Sequence, residues 1–528
     1  MLDLSIAAPM EKFIDLKPAD MEAADREQCL AGTRLNILQD LFASLVCHDA
    51  NKNIIWLRGQ AGCGKSTILN TLAHYIERLR RQGAFLFWDR NKADNSEPRR
   101  VVRTLAHQLA RFDPIFAREL ARQVDKWPRV AESSLDFQFQ CLVQELLSVL
   151  TETHHFGPVV IVLDALDECG TPESRRQLLS TLLPGLTKLP EAVRVLTASR
   201  EEPDISAALS RLNPEVHDVP MGDASTSIDI EALFQKRLTS NADAFLSCGL
   251  PPEWPGAHAI RKLVTLSGGL FIWASTTIRF IEYGFPPERL EKVLNASAHG
   301  DSHHSLDDLY RVALTHPFRS CDKSEYKAVN SILGAILVAR DELTDEQLSR
   351  LLGLAMHVVQ YVLLRLQPLL QGGRGRPVRV LHASFIDFLC DLKRYQDPKW
   401  HIFASAHHTD LTSHCLRVLE QDLKFNICGI ETSYHPNKEI EGLHERIGQA
   451  IPPSLLYASQ YWADHLELGS VQKEDPHPLA DSVRSFITCR LLYWIEVFSV
   501  KDRMSMVLVI LRKVTSWANV CRLSDMQL

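Results

Sequence analysis

Residues 53–70 constrain the fold of this chain more than any other stretch. Residues 54–57 form a short apolar run that predicts a buried strand, and the apolar residues 67–76 predict a helix. Between them, residues 59–66 read G-x-x-x-x-G-K-S. The glycines allow backbone N–H groups to turn toward a polyphosphate, and the following helix contributes its positive N-terminal end. The stretch therefore predicts a phosphate-binding loop within an α/β domain.

The same pattern assigns roles to two side chains. Lys65 would bring a positive charge to the β- and γ-phosphates, and the Ser66 hydroxyl would hold Mg²⁺. The predicted nucleotide contacts are the loop and the residue after it: Gly59, Gln60, Ala61, Gly62, Cys63, Gly64, Lys65, Ser66 and Thr67. A glycine-rich turn that matches by chance is the alternative, but the strand before the loop and the helix after it argue against this.

A second stretch has the character of a central strand that ends in acids. Residues 158–163 are apolar, as expected of a parallel strand buried on both faces, and residues 164–168 follow as Asp-Ala-Leu-Asp-Glu. Asp164 is predicted to hold Mg²⁺ through a water, and Asp167 or Glu168 to orient or deprotonate the attacking water. Alternatively, Asp167 and Glu168 cap the helix predicted to begin near Pro172.

Three further strands are predicted at residues 84–88, 193–197 and 216–219, with helices between them, one of which is predicted at residues 137–151. This alternation indicates a parallel sheet with helices on both faces and ligands at the carboxyl ends of the strands. Arg200 follows one of these strands, and its planar guanidinium matches phosphate oxygens, so it is predicted to sense the γ-phosphate. The alternative is a surface ion pair with Glu201 or Glu202.

Composition narrows the class of protein. The chain has 528 residues, enough for about three to four domains, with 45% hydrophobic and 23% charged residues, as in ordinary globular proteins. The net charge of −7 shows no excess of basic residues over the whole chain of the kind that nucleic-acid binding favours. The 12 cysteines include no Cys-x-x-Cys pair, which predicts reduced thiols. Without a signal peptide or an unbroken apolar span, the expected location is cytoplasmic and no membrane span is expected.

Beyond residue 225 the pattern predicts helices. Residues 326–339, 344–352 and 357–366, followed by a strand at 377–381, give the outline of a winged helix. Its role would be DNA binding or an internal lid over the nucleotide. Arg374, Arg376 and Arg379 form its one basic cluster, too small to predict a nucleic-acid partner. The helical C-terminal part contains several histidines without metal-ligand spacing, so they are interpreted as core or surface residues.

These motifs, in this order, resemble those of fungal NACHT-domain proteins, which belong to the STAND class of signal-transducing P-loop NTPases together with NOD-like receptors. The resemblance rests on the nucleotide motifs at 59–66, 163–168 and 197–200, and on segments 29–34, 381–389, 423–428 and 457–462. Segment 29–34 is similar to the entry Cys-Leu-Pro-Gly-Thr-Arg, with Ala31 in place of proline. Phe271 stands where plant relatives have proline, and no sensor repeats are recognisable.

The resemblance implies a switch that binds ATP or ADP with Mg²⁺ and hydrolyses ATP slowly. In that class ADP holds a closed monomer, and exchange for ATP frees a form that assembles into homo-oligomers. It implies signalling in innate-immunity-like or non-self recognition and programmed cell death, with an unknown protein ligand and effector. His382 matches the position from which relatives contact the ADP phosphate. By their place before the nucleotide strand, Thr33 and Arg34 would lie against the base, or would simply begin a helix.

The expected domains are a lead-in at 1–25, a nucleotide-binding domain at 26–222, a helical domain at 223–318, a winged helix at 319–395 and a helical region at 396–528. Two other functions remain open. One is a DNA-linked ATPase with a winged helix, and the other is a scaffold that binds nucleotide without hydrolysing it.

Overall fold

The computed structural model describes residues 27–46, 53–89, 98–153, 157–170, 172–186, 190, 192–240, 249–251, 253–296, 302–319, 321–392, 394, 400–432, 434–469 and 479–521. The predicted lead-in at 1–25 lies outside these residues. The chain divides into two compact units, Met1–Leu309 and Tyr310–Leu528.

The described part of the first unit contains a five-stranded parallel sheet. Its strands are β1 (Ile54–Arg58), β2 (Gln82–Phe87), β3 (Val159–Asp164), β4 (Val193–Ser199) and β5 (Glu215–Asp218). Their order across the sheet is β2-β3-β4-β1-β5. Strand β4 therefore lies between β1 and β3, with Ile54 opposite Val195 on one side and Val162 opposite Leu196 on the other. The carboxyl ends of these three strands meet at one edge.

Alternation along the strands creates two hydrophobic cores, one on each face of the sheet. In β1, Ile54 and Trp56 belong to one core, and Ile55 and Leu57 belong to the other. The flanking helices are α1 (Leu35–Val46), α2 (Lys65–Arg78), α3 (Pro98–Phe112), α4 (Pro114–Lys126), α5 (Leu135–Leu142), α6 (Leu147–Thr153), α7 (Pro172–Leu186) and α8 (Pro203–Leu209). The result is the α/β fold with helices on both faces that the sequence predicts.

Two local predictions need correction. The single helix predicted at residues 137–151 is wrong, because the chain leaves helical geometry at Val143 (φ −128°, ψ −64°) and resumes in α6. Helix α4 was not predicted, although its start carries a strong signal. Asp113 accepts hydrogen bonds from the backbone N–H groups of Ile115 and Phe116, and Pro114 occupies the first turn.

The first unit continues in helices α9 (Ala224–Ser240), α10 (Ala257–Ser267), α11 (Phe271–Glu282) and α12 (Pro286–Ala296). Helix α13 (Ser302–Thr315) contains the division between the units. Helix α11 buries one face that includes Trp273 and Phe280, so its position in the first unit is fixed by core packing.

The second unit is mostly helical. Helices α14 (Lys323–Val338), α15 (Asp345–Leu352) and α16 (Met356–Arg365) precede an antiparallel hairpin of β6 (Leu370–Gly373) and β7 (Arg376–Val380). This is the helix–helix–helix–hairpin order of a winged helix, and Thr344 and Gln347 form a capping box at the start of α15. The remaining helices are α17 (Ala383–Cys390), α18 (Ala404–Asp422), α19 (Leu443–Ala450), α20 (Pro453–Leu468), α21 (Ala480–Cys489), α22 (Leu491–Val500) and α23 (Ser505–Val520).

Within the described ranges, none of the helices combines the length and the apolar character needed to cross a bilayer.

Candidate functional site

The loop between β1 and α2 has the backbone of a phosphate cradle. Gly62 (φ +80°) and Gly64 (φ +96°) adopt left-handed conformations that residues with a Cβ rarely tolerate. A Cβ on Gly64 would meet no atom within 4 Å, so this residue borders open space. A Cβ on Gly59 would come within 2.8 Å of the Cys63 sulfur. The loop therefore needs glycine both for its conformation and for its close packing.

Two predicted side chains of the loop already have defined partners. Lys65 Nζ donates hydrogen bonds to the carbonyl oxygens of Gly59 (2.7 Å) and Gln60 (2.9 Å). Ser66 Oγ donates to Asp164 Oδ1 at 3.1 Å. Asp164 ends β3 and is 1% exposed. The hydroxyl and the carboxylate that the sequence assigns to Mg²⁺ thus come together, one from the start of α2 and one from the end of β3.

The acidic motif and the predicted sensor are also in contact. Arg200 follows β4, and its backbone N–H donates to Asp167 Oδ1 at 3.1 Å. Its Nε lies 3.2 Å from Asp167 Oδ2, and the Asp167 side chain is 4% exposed. Glu201, the alternative partner of Arg200, accepts a hydrogen bond from Arg58 at 2.8 Å. Glu168 follows Asp167 and is half-buried.

Arg175 is a residue of this cluster that sequence reasoning missed. From helix α7 it donates to the carbonyl oxygen of Asp167 at 2.9 Å and forms two hydrogen bonds to Asp204, at 2.8 and 3.0 Å. Burial alone would raise the pKa of Asp204, but the hydrogen bonds and charge of Arg175 outweigh it, and the pKa lies below its usual value. No local motif marks Arg175, since its partners lie in other segments.

Arg34 lies behind the phosphate loop. Its guanidinium donates to the carbonyl oxygen of Cys63 at 2.9 Å, to Thr226 Oγ1 at 3.1 Å and to the carbonyl oxygen of Pro220 at 3.3 Å. The residue is 5% exposed, and burial lowers the pKa of its guanidinium. Neighbouring Thr33 donates its hydroxyl to the carbonyl oxygen of Leu30 at 2.7 Å. Both side chains are thus used within the protein, and their predicted contact with the base stays a prediction.

Helix α11 contacts the loop on the same side. The Ile272 N–H donates to the carbonyl oxygen of Gly62 at 3.1 Å, and the Arg34 guanidinium lies 4.5 Å from the centre of the Phe271 ring. Just before this helix, a Cβ on Gly269 would come within 2.5 Å of the Gly222 backbone nitrogen. The start of α11 is therefore held to the loop by a backbone hydrogen bond, and Gly269, just before the helix, is held to Gly222 by an approach that only glycine permits.

His382 lies in the second unit, at the N-cap of α17. Its Nδ1 accepts from the Ser384 N–H at 3.1 Å and lies 2.7 Å from Ser384 Oγ, which in turn is 2.8 Å from the Tyr310 hydroxyl. The geometry is that of a helix cap, and its contact with ADP stays a prediction. Among the described residues, no cluster of three or more His, Cys, Asp or Glu side chains is arranged to hold a metal.

The residues of the site fit Mg-nucleotide chemistry. A serine hydroxyl and a carboxylate are the hard oxygen ligands that Mg²⁺ prefers, and Mg²⁺ usually takes only one or two of them from the protein together with phosphate oxygens. The open side of Gly64 leaves room for a phosphate beside the N-terminus of α2. Arg200, at the end of the neighbouring strand, provides a second positive charge at the same edge of the sheet.

Comparison with known families gives a match to part of the first unit. A family model described as nephrocystin 3, N-terminal, matches residues 32–200, which include the phosphate loop, the acidic motif and the sensor strand. No curated protein matches the chain.

Solved structures resemble the chain only weakly. The Walker-type ATPase PABY2304 of Pyrococcus abyssi has 13% identity and a TM-score of 0.36, with 69% of this chain and 98% of that chain covered. Cdc6p from Pyrobaculum aerophilum has 12% identity and a TM-score of 0.32, with 67% and 91% covered. A chain of Drosophila ORC bound to DNA has 14% identity and a TM-score of 0.30, with 73% and 91% covered. Similarities of this size say nothing about ligand or activity.

Proposed function

We propose that the chain is an ATP- and ADP-binding switch of the NACHT type that hydrolyses ATP slowly. The observation that carries the proposal is the meeting of Ser66 and Asp164, 3.1 Å apart, beside a loop whose Gly62 and Gly64 are left-handed. A chance glycine turn would not bring the end of β3 to the start of α2. The match of residues 32–200 to a family model is consistent with the proposal.

In this proposal, the loop binds the phosphates through backbone N–H groups, and Lys65 exchanges its two carbonyl partners for phosphate oxygens. Such an exchange is favourable because an ammonium bonds more strongly to a charged oxygen than to a neutral carbonyl. Ser66 and Asp164 would hold Mg²⁺, which neutralises negative charge on the β- and γ-phosphates when it is bound.

We assign to Glu168 the role of orienting the attacking water. Both carboxylate oxygens of Asp167 contact Arg200, so Asp167 is occupied in holding that side chain. Glu168 is the other acid at this strand end, and it is half-buried rather than enclosed. A carboxylate next to the γ-phosphate position would orient the water and accept its proton.

The Asp167–Arg200 pair suggests how the switch distinguishes ATP from ADP. A γ-phosphate beside β4 would compete with Asp167 for the Arg200 guanidinium, and ADP would leave that pair intact. We infer that this exchange accompanies the change from a monomer to a homo-oligomer, in a signalling role with a protein ligand and an effector still to be identified.

The proposal is tested by using calorimetry to measure the affinity of the purified protein for Mg-ADP. Lys65→Ala is expected to weaken binding by at least about tenfold, because a charge-assisted bond contributes roughly 1.5–3 kcal/mol. Exposed Lys262 in the same unit provides the matched control, and Lys262→Ala should bind like the wild type. Equal affinity in all three proteins would refute the proposed site.

A DNA-linked ATPase is the second candidate, favoured by one observation. Asp345 accepts hydrogen bonds from the Arg374 and Gly375 N–H groups, which fixes the tip of the hairpin with Arg374 and Arg376 exposed. If this is the function, duplex DNA should stimulate ATP hydrolysis, and Arg374→Glu with Arg376→Glu should abolish the stimulation. Turnover that does not change with DNA would leave the switch as the better interpretation.

A further inference from the structure

The phosphate loop is held from outside by two hydrogen bonds to its carbonyl groups. Arg34 donates to the carbonyl oxygen of Cys63 at 2.9 Å, and the Ile272 N–H donates to that of Gly62 at 3.1 Å. These donors come from different segments of the chain, one before β1 and one at the start of α11. Two consecutive peptide groups of the loop are therefore anchored on the same side.

Anchoring a carbonyl also fixes the N–H of the same peptide group. In a planar trans peptide the C=O and the following N–H point in opposite directions. The Cys63 carbonyl and the Gly64 N–H belong to one peptide group, so the bond from Arg34 directs the Gly64 N–H away from Arg34. On its open side Gly64 borders free space, since a Cβ there would meet no atom within 4 Å.

The surroundings of Arg34 hold its guanidinium in the position from which it bonds the Cys63 carbonyl oxygen. Its own backbone is left-handed (φ +58°), a conformation that a residue with a long side chain rarely adopts. Its N–H donates to Asp229 Oδ2 at 3.0 Å, and its guanidinium also bonds Thr226 and stacks near Phe271. A strained conformation persists only where several contacts determine it together, and such positions often serve a site.

We propose that Arg34 is a positioning residue that orients the Gly64 N–H toward the phosphate of a bound nucleotide. It acts through the Cys63–Gly64 peptide group and does not itself contact the ligand. The inference rests on the proposed function, because it requires a phosphate in the loop. It also links the loop to α9 and α11, since the same guanidinium contacts Thr226 and Phe271.

The test compares the affinities for ADP and AMP in the full chain, measured by competition against a fluorescent ADP. The dissociation constant for AMP divided by that for ADP isolates the contribution of the β-phosphate. A general loss of folded protein scales both constants equally and leaves the ratio unchanged. Arg34→Met and Arg34→Lys both remove the guanidinium that donates to the Cys63 carbonyl oxygen, and they are expected to reduce the ratio by about tenfold. A partly unfolded variant can therefore still be measured, because the folded fraction cancels in the ratio of the two constants.

Arg289→Met is the matched control. Arg289 donates to the carbonyl oxygen of Phe280 at 2.7 Å and lies 4.7 Å from the centre of the Phe280 ring, so it makes the same kinds of contact as Arg34 without bonding the phosphate loop, and its loss should lower thermal stability without changing the ratio. An unchanged ratio in both Arg34 variants, or an equal fall in Arg289→Met, would overturn the role of Arg34. A wild-type ratio near one, or a ratio that Lys65→Ala leaves unchanged, would instead refute the proposed function, and the inference with it.

Discussion

Asp167 is the residue on which two arginines of the site converge. Arg200 contacts its carboxylate from β4, and Arg175 contacts its carbonyl oxygen from α7. Because Asp167 is 5% exposed, its charge needs these partners to remain buried. The neighbouring acid, Glu168, has a more accessible position. Two adjacent acids thus have different environments, which supports different roles for them in the proposed hydrolysis of ATP.

Glu168→Gln should separate these roles. It is expected to slow single-turnover hydrolysis of ATP by about 100-fold or more, because a positioned base contributes that much to a rate. Its affinity for Mg-ADP should stay within about twofold of the wild type, since ADP binding needs no base.

Asp167→Asn is the contrasting variant. It keeps an oxygen for the Arg200 N–H but removes the charge beside the guanidinium, so affinity for a non-hydrolysable ATP analogue should rise several-fold relative to ADP. Normal turnover in Glu168→Gln, together with a 100-fold loss in Asp167→Asn, would mean that Asp167 positions the water. A non-hydrolysing scaffold would be favoured if neither the wild type nor Glu168→Gln hydrolyses ATP and the two proteins assemble equally.

At the scale of elements, the start of α11 joins the helical segment of the first unit to the phosphate loop. The contact depends on the close approach of Gly269 to Gly222 and on the hydrogen bond from Ile272 to Gly62. The hydrophobic face of α11 explains why the helix is buried, but these backbone contacts determine which of its residues meet the loop. Nucleotide binding and the position of α11 should therefore be coupled.

Gly269→Ala is expected to disrupt this coupling. The new Cβ would come within 2.5 Å of the Gly222 nitrogen, so the backbone must shift, and the free energy of unfolding should fall by about 2–4 kcal/mol. The affinity for Mg-ADP should fall as well. Gly249→Ala is the control, since Gly249 has a similar φ of +78° with nothing within 4 Å of the added Cβ. It should lose stability through backbone strain but keep its affinity, and equal affinities in the two variants would exclude the coupling.

Helices α18 and α20 pack through a pair of histidines, of which His465 is buried and His408 half-buried. His408 Nδ1 lies 2.8 Å from His465 Nδ1, and the Tyr457 hydroxyl lies 2.9 Å from His465 Nε2. Burial lowers the pKa of His408 to about 4 and that of His465 well below its usual value. The pair is therefore neutral at pH 7 and serves as a helix–helix contact.

Stability of the second unit should therefore decrease with acidification. In the unfolded chain both histidines take up protons near pH 6.5, but the folded protein resists protonation to about pH 4. Between pH 7 and 4.5 the unfolded state binds more protons, so the free energy of unfolding falls as the pH falls. Thermal unfolding followed over this range should show a lower midpoint at acid pH and a flatter dependence in His408→Gln. An identical slope in that variant would assign the effect to other groups.

At the scale of the whole molecule, the parts fixed by local patterns were predictable from the sequence. The strand predicted at 54–57 is β1, because an apolar run followed by a glycine loop specifies both its position and its end. The meeting of Ser66 with Asp164 also follows from sequence, since the carboxyl ends of parallel strands share one edge of the sheet.

Contacts between distant segments could not be predicted in this way. Arg34 and Cys63 are 29 residues apart, and Ile272 reaches Gly62 from a helix more than 200 residues later along the chain. Such contacts depend on how α9 and α11 pack against the sheet, and periodicity gives only their buried faces. The helical segment is interrupted at Val143, and no glycine or proline there predicts the interruption. These long-range contacts are the ones that would tie the helical segment to a nucleotide.

The central claim, a nucleotide-controlled change of assembly, is tested most directly by the solution mass of the purified protein. Light scattering should give a monomer with Mg-ADP and a larger assembly with a non-hydrolysable Mg-ATP analogue, and Lys65→Ala should remain a monomer with both. The same mass with either nucleotide, in a protein that binds both tightly, would contradict the switch.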